Sequence, residues 1–328
     1  MRTARWRAAR LLAVAASATL ALTACGGGNI NDSTASGSGG TSCSDTLDMA
    51  VNPWVGYEAD AYVIGQIAQE KLGCQVKYHN LKEQVSWAGF GSGAVDVVME
   101  NWGHDELAAK YMKSAGGDGT ATDFGQTGNK GIIGWYVPPW LAKAHPDITN
   151  WKNLNKYAAN FKTSESGSQG QFLDGDPSYV TNDEALINNL HLNFKVVYAG
   201  SETALIQAYR QAEANHTWVI GYFYEPQWFL SEVPLVHVNL PKYTPGCDSD
   251  AEKVACDYPV YNLNKVVSTK WSESGQPDVT LVKNFQWTND DQNQVSEYIA
   301  KEGMKPADAA QKWIDANPDK VNAWLQGT

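Results

Sequence analysis

The chain has 328 residues, a formal net charge of -11 and 13 tryptophans, with 43% hydrophobic and 11% aromatic residues. This acidity argues against nucleic acid as a partner and against docking on anionic lipid through the protein surface. The roughly 290 residues beyond the leader exceed the usual size of one core, so two α/β cores are expected.

Arg2, Arg5, Arg7 and Arg10 open the chain without an acid, and Leu11 to Leu22 follows as an apolar run too short for a stable membrane-spanning helix. Residues 1–24 therefore read as an export signal. It ends in Leu22-Thr23-Ala24-Cys25, which resembles the lipobox of bacterial lipoproteins, where the cysteine thiol takes the lipid and becomes the mature N-terminus. Residues 25–44 then supply the lipidated Cys25 and a flexible linker rich in Gly, Ser, Thr, Asn and Asp, a composition that cannot bury enough surface to fold. The expected location is extracytoplasmic, at the outer face of the cell membrane, with lipid as the anchor. Without the four leader arginines the net charge is about -15.

Cys43, Cys74, Cys247 and Cys256 remain, an even number for an oxidising compartment. Three pairings are possible. Cys247 with Cys256 is favoured because both sit in one polar loop, and Cys43 with Cys74 because that bond pins the start of the domain. Zinc is the competing use, but no CxxC or HxxxH spacing accompanies these cysteines.

Thr46 to Val51 reads as a strand, Glu58 to Leu72 as a helix with Val63, Ile64, Ile67, Ala68 and Leu72 on one side, and Gln75 to Leu81 as a second strand. Val95 to Glu100 is a continuous apolar run suited to a buried parallel strand. Gly131 to Pro139 reads as a crossover to a second core, built from a strand at Lys195 to Ala199, a helix at Ser201 to Asn215 capped by Ser201, and a strand at Trp218 to Tyr224. Val233 to Pro241 reads as the return. Thr288 to Asp291 offers caps for a helix over Gln292 to Lys301, and Pro306 opens another that Asn317-Pro318 breaks.

No GxSxG, HExxH or GxxxxGK[ST] occurs, so the enzyme classes those motifs mark have no support. The pieces Gly89-Phe90-Gly91-Ser92-Gly93 and Gly116-Gly117-Asp118-Gly119 lack the strand-before, helix-after setting of a phosphate cradle and read as loops. Six scattered histidines show no metal spacing. His104 alone follows a strand end, where α/β sheets present ligand contacts. Aromatic residues, by contrast, gather in turn-rich segments: Trp102 beside Asn101, Gly103 and His104, then Gly134 to Trp140, then Gly221 to Trp228. Rings set among Gly, Pro and Asn suit a cleft for a flat or cationic ligand.

Val51-Asn52-Pro53-Trp54-Val55-Gly56-Tyr57-Glu58, then Ser92 to Val97 running into Glu100-Asn101-Trp102, then Gly175-Asp176-Pro177-Ser178-Tyr179, and lastly Gly221-Tyr222-Phe223-Tyr224-Glu225-Pro226-Gln227-Trp228 occur in an order that resembles one family. It is that of the substrate-binding proteins of osmoprotectant ABC transporters for glycine betaine and related quaternary amines, and the likeness covers about residues 46 to 326. The resemblance implies a two-lobed α/β periplasmic-binding-protein fold of type II, without catalysis or cofactor, with the ligand cleft between lobe 1 (45–135 plus 236–328) and lobe 2 (136–235). It implies an aromatic box of Trp102, Tyr179 and Tyr224 around a trimethylammonium head, and a ligand carboxylate met by Val180, Thr181 and His104. Trp54 is a further candidate for the box, and Trp87, Trp135, Tyr136, Trp140 and Trp228 are alternates, with Trp135 and Trp140 better suited to packing. The implied partners are the quaternary ammonium ligand, an ABC permease with its ATPase, and the membrane through lipid. Choline, carnitine, proline betaine and trimethylamine oxide are alternative ligands, and Glu100, Asp176 or Glu225 could supply an acid for choline. A secreted carbohydrate-active hydrolase using Asp176 and Glu225 is the reading from another class.

Overall fold

The structure, a computed structural model, describes residues 43–179 and 181–328. The export signal, the lipidation site Cys25, the linker as far as residue 42, and Val180 lie outside the described residues.

The first flank forms as its apolar pattern dictates. Strand β1 (Thr46–Val51) buries Leu47 and Met49 on alternation, and helix α1 (Val55–Leu72) starts before Glu58 because Val55, Gly56 and Tyr57 are also buried. Gly73 ends α1 in the left-handed region at φ 69°, its N–H bonded to Ala68 O. Strand β2 (Gln75–Asn80), helix α2 (Glu83–Ala88), strand β3 (Val97–Asn101) and helix α3 (Asp105–Tyr111) follow. The 17-residue strand β4 (Ala121–Val137) then leads to short helices α4 (Pro139–Ala144) and α5 (Leu154–Tyr157).

The second flank comprises β5 (Gly170–Asp174), α6 (Asp183–Asn189), β6 (Phe194–Tyr198), α7 (Glu202–Asn215), β7 (Gly221–Glu225) and the two-residue β8 (Val236–His237). Ser201 caps α7 as expected, its hydroxyl accepting from Ala204 N–H. Strand β9 (Val260–Ser268) precedes helices α8 (Thr269–Ser272), α9 (Pro277–Asn284), α10 (Asn289–Ala300), α11 (Pro306–Ala316) and α12 (Pro318–Trp324). Thr288 and Asp291 close a reciprocal capping box at the start of α10. Asn317-Pro318 ends α11, and Pro318 begins α12.

Among the described residues nine strands make one sheet, in the order β2-β1-β3-β9-β4-β7-β5-β6, with β8 alongside β4. β1 pairs in parallel with β2 and β3, and β5 with β6 and β7, whereas the joining pairs β3–β9, β9–β4 and β4–β7 are antiparallel. Two parallel α/β flanks therefore meet at an antiparallel centre, the two-lobed α/β architecture expected. β4 serves both: Ala121 to Ile132 pair with β9, and Ile132 to Tyr136 with β7. Its register shifts near Gly125 and Gly128, at φ 91° and 96°, let one strand bend from flank to flank. Residues 236–237 lie against Tyr136 and Val137, and β9 is the strand that carries the chain back to β3.

Helices α9, α10 and α11 pack on α1. Disulfides join Cys43 to Cys74 and Cys247 to Cys256, the favoured pairing. Among the described residues no helix is long and apolar enough to cross a membrane.

Candidate functional site

Ligand contacts in α/β sheets gather beyond the C-terminal ends of parallel strands. Trp54 follows β1, Trp102 follows β3, and Tyr179 stands in the loop after β5. On β7 the two-residue period points Tyr222 and Tyr224 to one face and Phe223 to the other. These five rings line one cavity of about 780 Å³, a size suited to a small ligand.

The rings meet edge to face. Trp54 and Tyr179 stand 5.8 Å apart at 87°, and Trp102 and Tyr224 5.8 Å apart at 88°. Tyr222 joins the set, 6.0 Å from Tyr179 and 5.9 Å from Tyr224, and Tyr261 at the head of β9 lies 5.9 Å from Trp102. Such T-shaped pairs leave electron-rich faces free to meet a cation. Two glycines make the room: a Cβ on Gly131 would fall 2.5 Å from the Trp102 ring, and one on Gly175 would fall 2.8 Å from the Tyr179 ring.

Hydrogen bonds fix the ring edges. The indole N–H groups of Trp54 and Trp102 both donate to Glu100 Oε2, at 2.7 and 3.1 Å. The Tyr224 hydroxyl donates to Glu202 Oε1, which also accepts from Gln227 Nε2 at 2.6 Å, while Glu202 Oε2 accepts from Val55 N at 2.9 Å. Tyr179 donates to Pro53 O at 3.1 Å. The last two bonds tie the β5–β6–β7 flank to the start of α1 on the other flank.

The polar side of the cavity is acidic. Glu83, Asp105, Glu106 and Asp248 line it with His104, and among the described residues its lining has no lysine or arginine. His104 Nε2 lies 2.8 Å from Glu83, and Nδ1 lies 3.4 Å from Glu106. Burial opposes charge on the ring, but hydrogen bonding to Glu106 and Glu83 outweighs it and pushes the pKa up to about 10, so the ring is an imidazolium at neutral pH. Both nitrogens that could meet a ligand anion thus already face carboxylates.

Of the other sequence candidates, Thr181 turns its hydroxyl to Asp174, at 3.1 Å, and Val180 lies outside the described residues. Trp87 packs on Phe90, Trp135 on Phe172, Tyr136 on Phe223, Trp140 against Trp218 and Trp228 against Phe229, and none of these five lines the cavity. Asp176 is held in its own turn by Ser178, and neither it nor Glu225 lines the cavity, so they do not form a catalytic pair there. Tyr222, Tyr258 and Tyr261 are cavity residues that the sequence reading missed. The period of β7 was the available signal for Tyr222, and the aromatic-proline run Tyr258-Pro259-Val260-Tyr261 was the signal for the other two.

A buried acid pair supports the Tyr179 loop. Asp174 accepts from Gly175 N at 2.7 Å and from Thr181, while Asp183 accepts from Trp135 Nε1 at 2.6 Å and from the Tyr258 hydroxyl at 2.8 Å. Burial pushes Asp174 up to about 6, and burial with the charge of Asp174 pushes Asp183 well up. An unfolded Asp titrates near pH 3.9, so the folded state holds these protons more tightly. Their contribution to stability is therefore greatest below about pH 4 and falls as pH rises through about 6. Thermal melts of the wild type and Asp174→Asn at pH 4 to 7 are expected to converge toward low pH, with the variant gaining relative stability as pH rises. A constant offset would contradict this.

Residues 45–316 match the substrate binding domain of ABC-type glycine betaine transport systems. The chain is 25% identical over 286 residues to the trimethylamine N-oxide-binding protein of Pelagibacter ubique (strain HTCC1062), covering 84% of this chain and 88% of that one. Lactococcal OpuAC, solved closed with glycine betaine, aligns with a TM-score of 0.67 at 20% identity, over 86% of this chain and all (100%) of that one. An ABC-transporter choline binding protein in complex with choline aligns with a TM-score of 0.69 at 17% identity, over 86% and 92% of the two chains. These structural likenesses bear on the fold, whereas the family match extends over most of the sequence. The chain belongs to the family of substrate-binding domains of ABC-type glycine betaine transport systems.

Proposed function

We propose that this chain is the extracytoplasmic solute-binding lipoprotein of an ABC importer, anchored through lipid on Cys25, that captures glycine betaine or a related quaternary ammonium compound and delivers it to a permease driven by an ATPase. Lobe 1 comprises residues 45–135 and 236–328, and lobe 2 residues 136–235. The observation that carries the reading is the convergence of Trp54, Trp102, Tyr179, Tyr222 and Tyr224 on one cavity. A quaternary ammonium has no proton to donate, so ring faces hold it better than any hydrogen-bond acceptor, at about 0.5–2 kcal/mol per face. A ligand that touches rings of both lobes favours the closed state, which is how capture becomes a signal to the permease.

For a zwitterion, the carboxylate would be met by the positive charge of His104, although Glu83 and Glu106 already hold both ring nitrogens, and by the backbone amides of Val180 and Thr181. Choline is the second reading, favoured by the acidic wall of Glu83, Asp105, Glu106 and Asp248, which repels a carboxylate but accepts a hydroxyl proton. The name of the Pelagibacter relative strengthens the case for testing trimethylamine N-oxide, already among the alternatives. Calorimetry and intrinsic tryptophan fluorescence with glycine betaine, choline, carnitine, proline betaine, trimethylamine N-oxide and a sugar panel decide among them. Saturable binding of a quaternary amine is expected; turnover of a glycoside, or no response to any of these amines, would sink the proposal.

A further inference from the structure

Two buried carboxylates stand behind the rings without lining the cavity. Glu100 is fully buried and Glu202 is 8% exposed. Glu100 receives the indole N–H groups of Trp54 and Trp102 on one oxygen and Gln292 Nε2 on the other. Gln292 is oriented for this, because its own carbonyl accepts from Asn129 Nδ2 at 2.8 Å. Glu202 receives the Tyr224 hydroxyl, Gln227 Nε2 and the Val55 amide, in the first turn of the 18-residue α1, where the helix dipole favours negative charge. Every group in these bonds donates, an arrangement that favours the ionised carboxylate; at Glu202 burial pushes the pKa up, and the bonds from Tyr224, Val55 and Gln227 oppose it. Beside Glu100, burial first, then the charge of Glu100, pushes the pKa of Asp60 well up.

We propose that Glu100 and Glu202 are the counter-charge of the cage, making it select a cation over an uncharged molecule of the same shape. This rests on the reading that the cage takes a quaternary ammonium. A carboxylate placed among the rings would compete for space with the methyl groups. Placed behind the rings, it acts on the ammonium through a low-dielectric layer, and each hydrogen bond to a ring edge draws electron density toward the face that the ligand meets.

The test uses the full chain, titrated by calorimetry with glycine betaine and choline, each beside the compound that carries carbon in place of the quaternary nitrogen, which is neutral for choline and an anion for glycine betaine, so that the two members of each pair differ by the ammonium charge alone. The wild type is expected to prefer the cationic member of a bound pair by about a hundredfold or more. Glu100→Gln and Glu202→Gln, which keep side-chain volume, are each expected to cut that preference about tenfold while the carbon compound's affinity stays within about twofold. A purely structural role would weaken both members alike and leave the preference intact, which would overturn the proposal. Equal affinity of the wild type for both members would overturn it as well, and needs no variant to fold. A wild type that binds no quaternary amine at all defeats the ligand reading itself, a result distinct from either of these.

Discussion

Trp102→Ala and Tyr224→Ala are each expected to weaken quaternary ammonium binding at least tenfold while the protein stays folded. Trp102 gives a ring face to the ligand, about 0.5–2 kcal/mol, and edge-to-face pairs with Tyr224 and Tyr261 that contribute about 0.5–1.5 kcal/mol each. Trp102→Ala loses the ligand-facing ring face and both pairs, so the expected net loss stays above about 1.4 kcal/mol, which is a factor of ten. Tyr224→Ala removes a second face and also a donor to Glu202. Tyr224→Phe separates these, since it keeps the ring and loses the hydroxyl; a smaller loss than in Tyr224→Ala is expected. Calorimetric affinities with melting temperatures for the three variants are the measurement. Unchanged affinity in both alanine variants would move the cage to other rings, and a collapse of the melting temperature in either would make these rings part of the core.

How much of this was readable without coordinates depended on how local each cause was. β1, α7 with its Ser201 cap, and α10 with its Thr288 box were legible because alternation, period and cap lie within a few residues of one another. β4 and β9 were not. Gly125 and Gly128 break the pattern of β4, and β9 carries Asn262, Asn264 and Lys265 amid its apolar residues, while the two strands pair across more than a hundred residues. Lys265 is fully buried and donates to Lys283 O at 3.1 Å and Phe285 O at 2.7 Å, partners that no pattern within β9 announces. The candidate cage divides along the same line. Motif order brought forward Trp102, Tyr179 and Tyr224, which line one cavity, whereas the anchoring of Trp54 on Glu100 and of Tyr224 on Glu202 needs side chains brought together from 46 and 22 residues away.

The second large effect concerns stability alone. Trp313 is fully buried in α11, stacked on Trp324 at 5.7 Å and 10°, with Trp287 edge-on at 5.5 Å and 83°. Trp324 in turn meets Phe285 at 4.8 Å, so one aromatic stack joins α9, α11 and α12 behind α1. Trp313→Ala opens a cavity in this stack and is expected to cost about 3–5 kcal/mol, lowering the melting temperature by about 6–15 °C. Affinity for the ligand should not change in the folded fraction, because none of these rings lines the binding cavity. Trp324→Ala should act in the same direction with the same indifference to ligand. Among the described residues the buried N–H group of Trp313 has no hydrogen-bond partner, a cost that packing of the ring bodies must offset. Trp313→Phe removes that unpaired donor along with some of the ring, so it should lose far less than Trp313→Ala, about 1–2 kcal/mol. Calorimetric unfolding of the two variants, with and without ligand, tests both parts: equal losses for Phe and Ala would show that the indole N–H is paired after all, and a loss of affinity would tie this stack to the site.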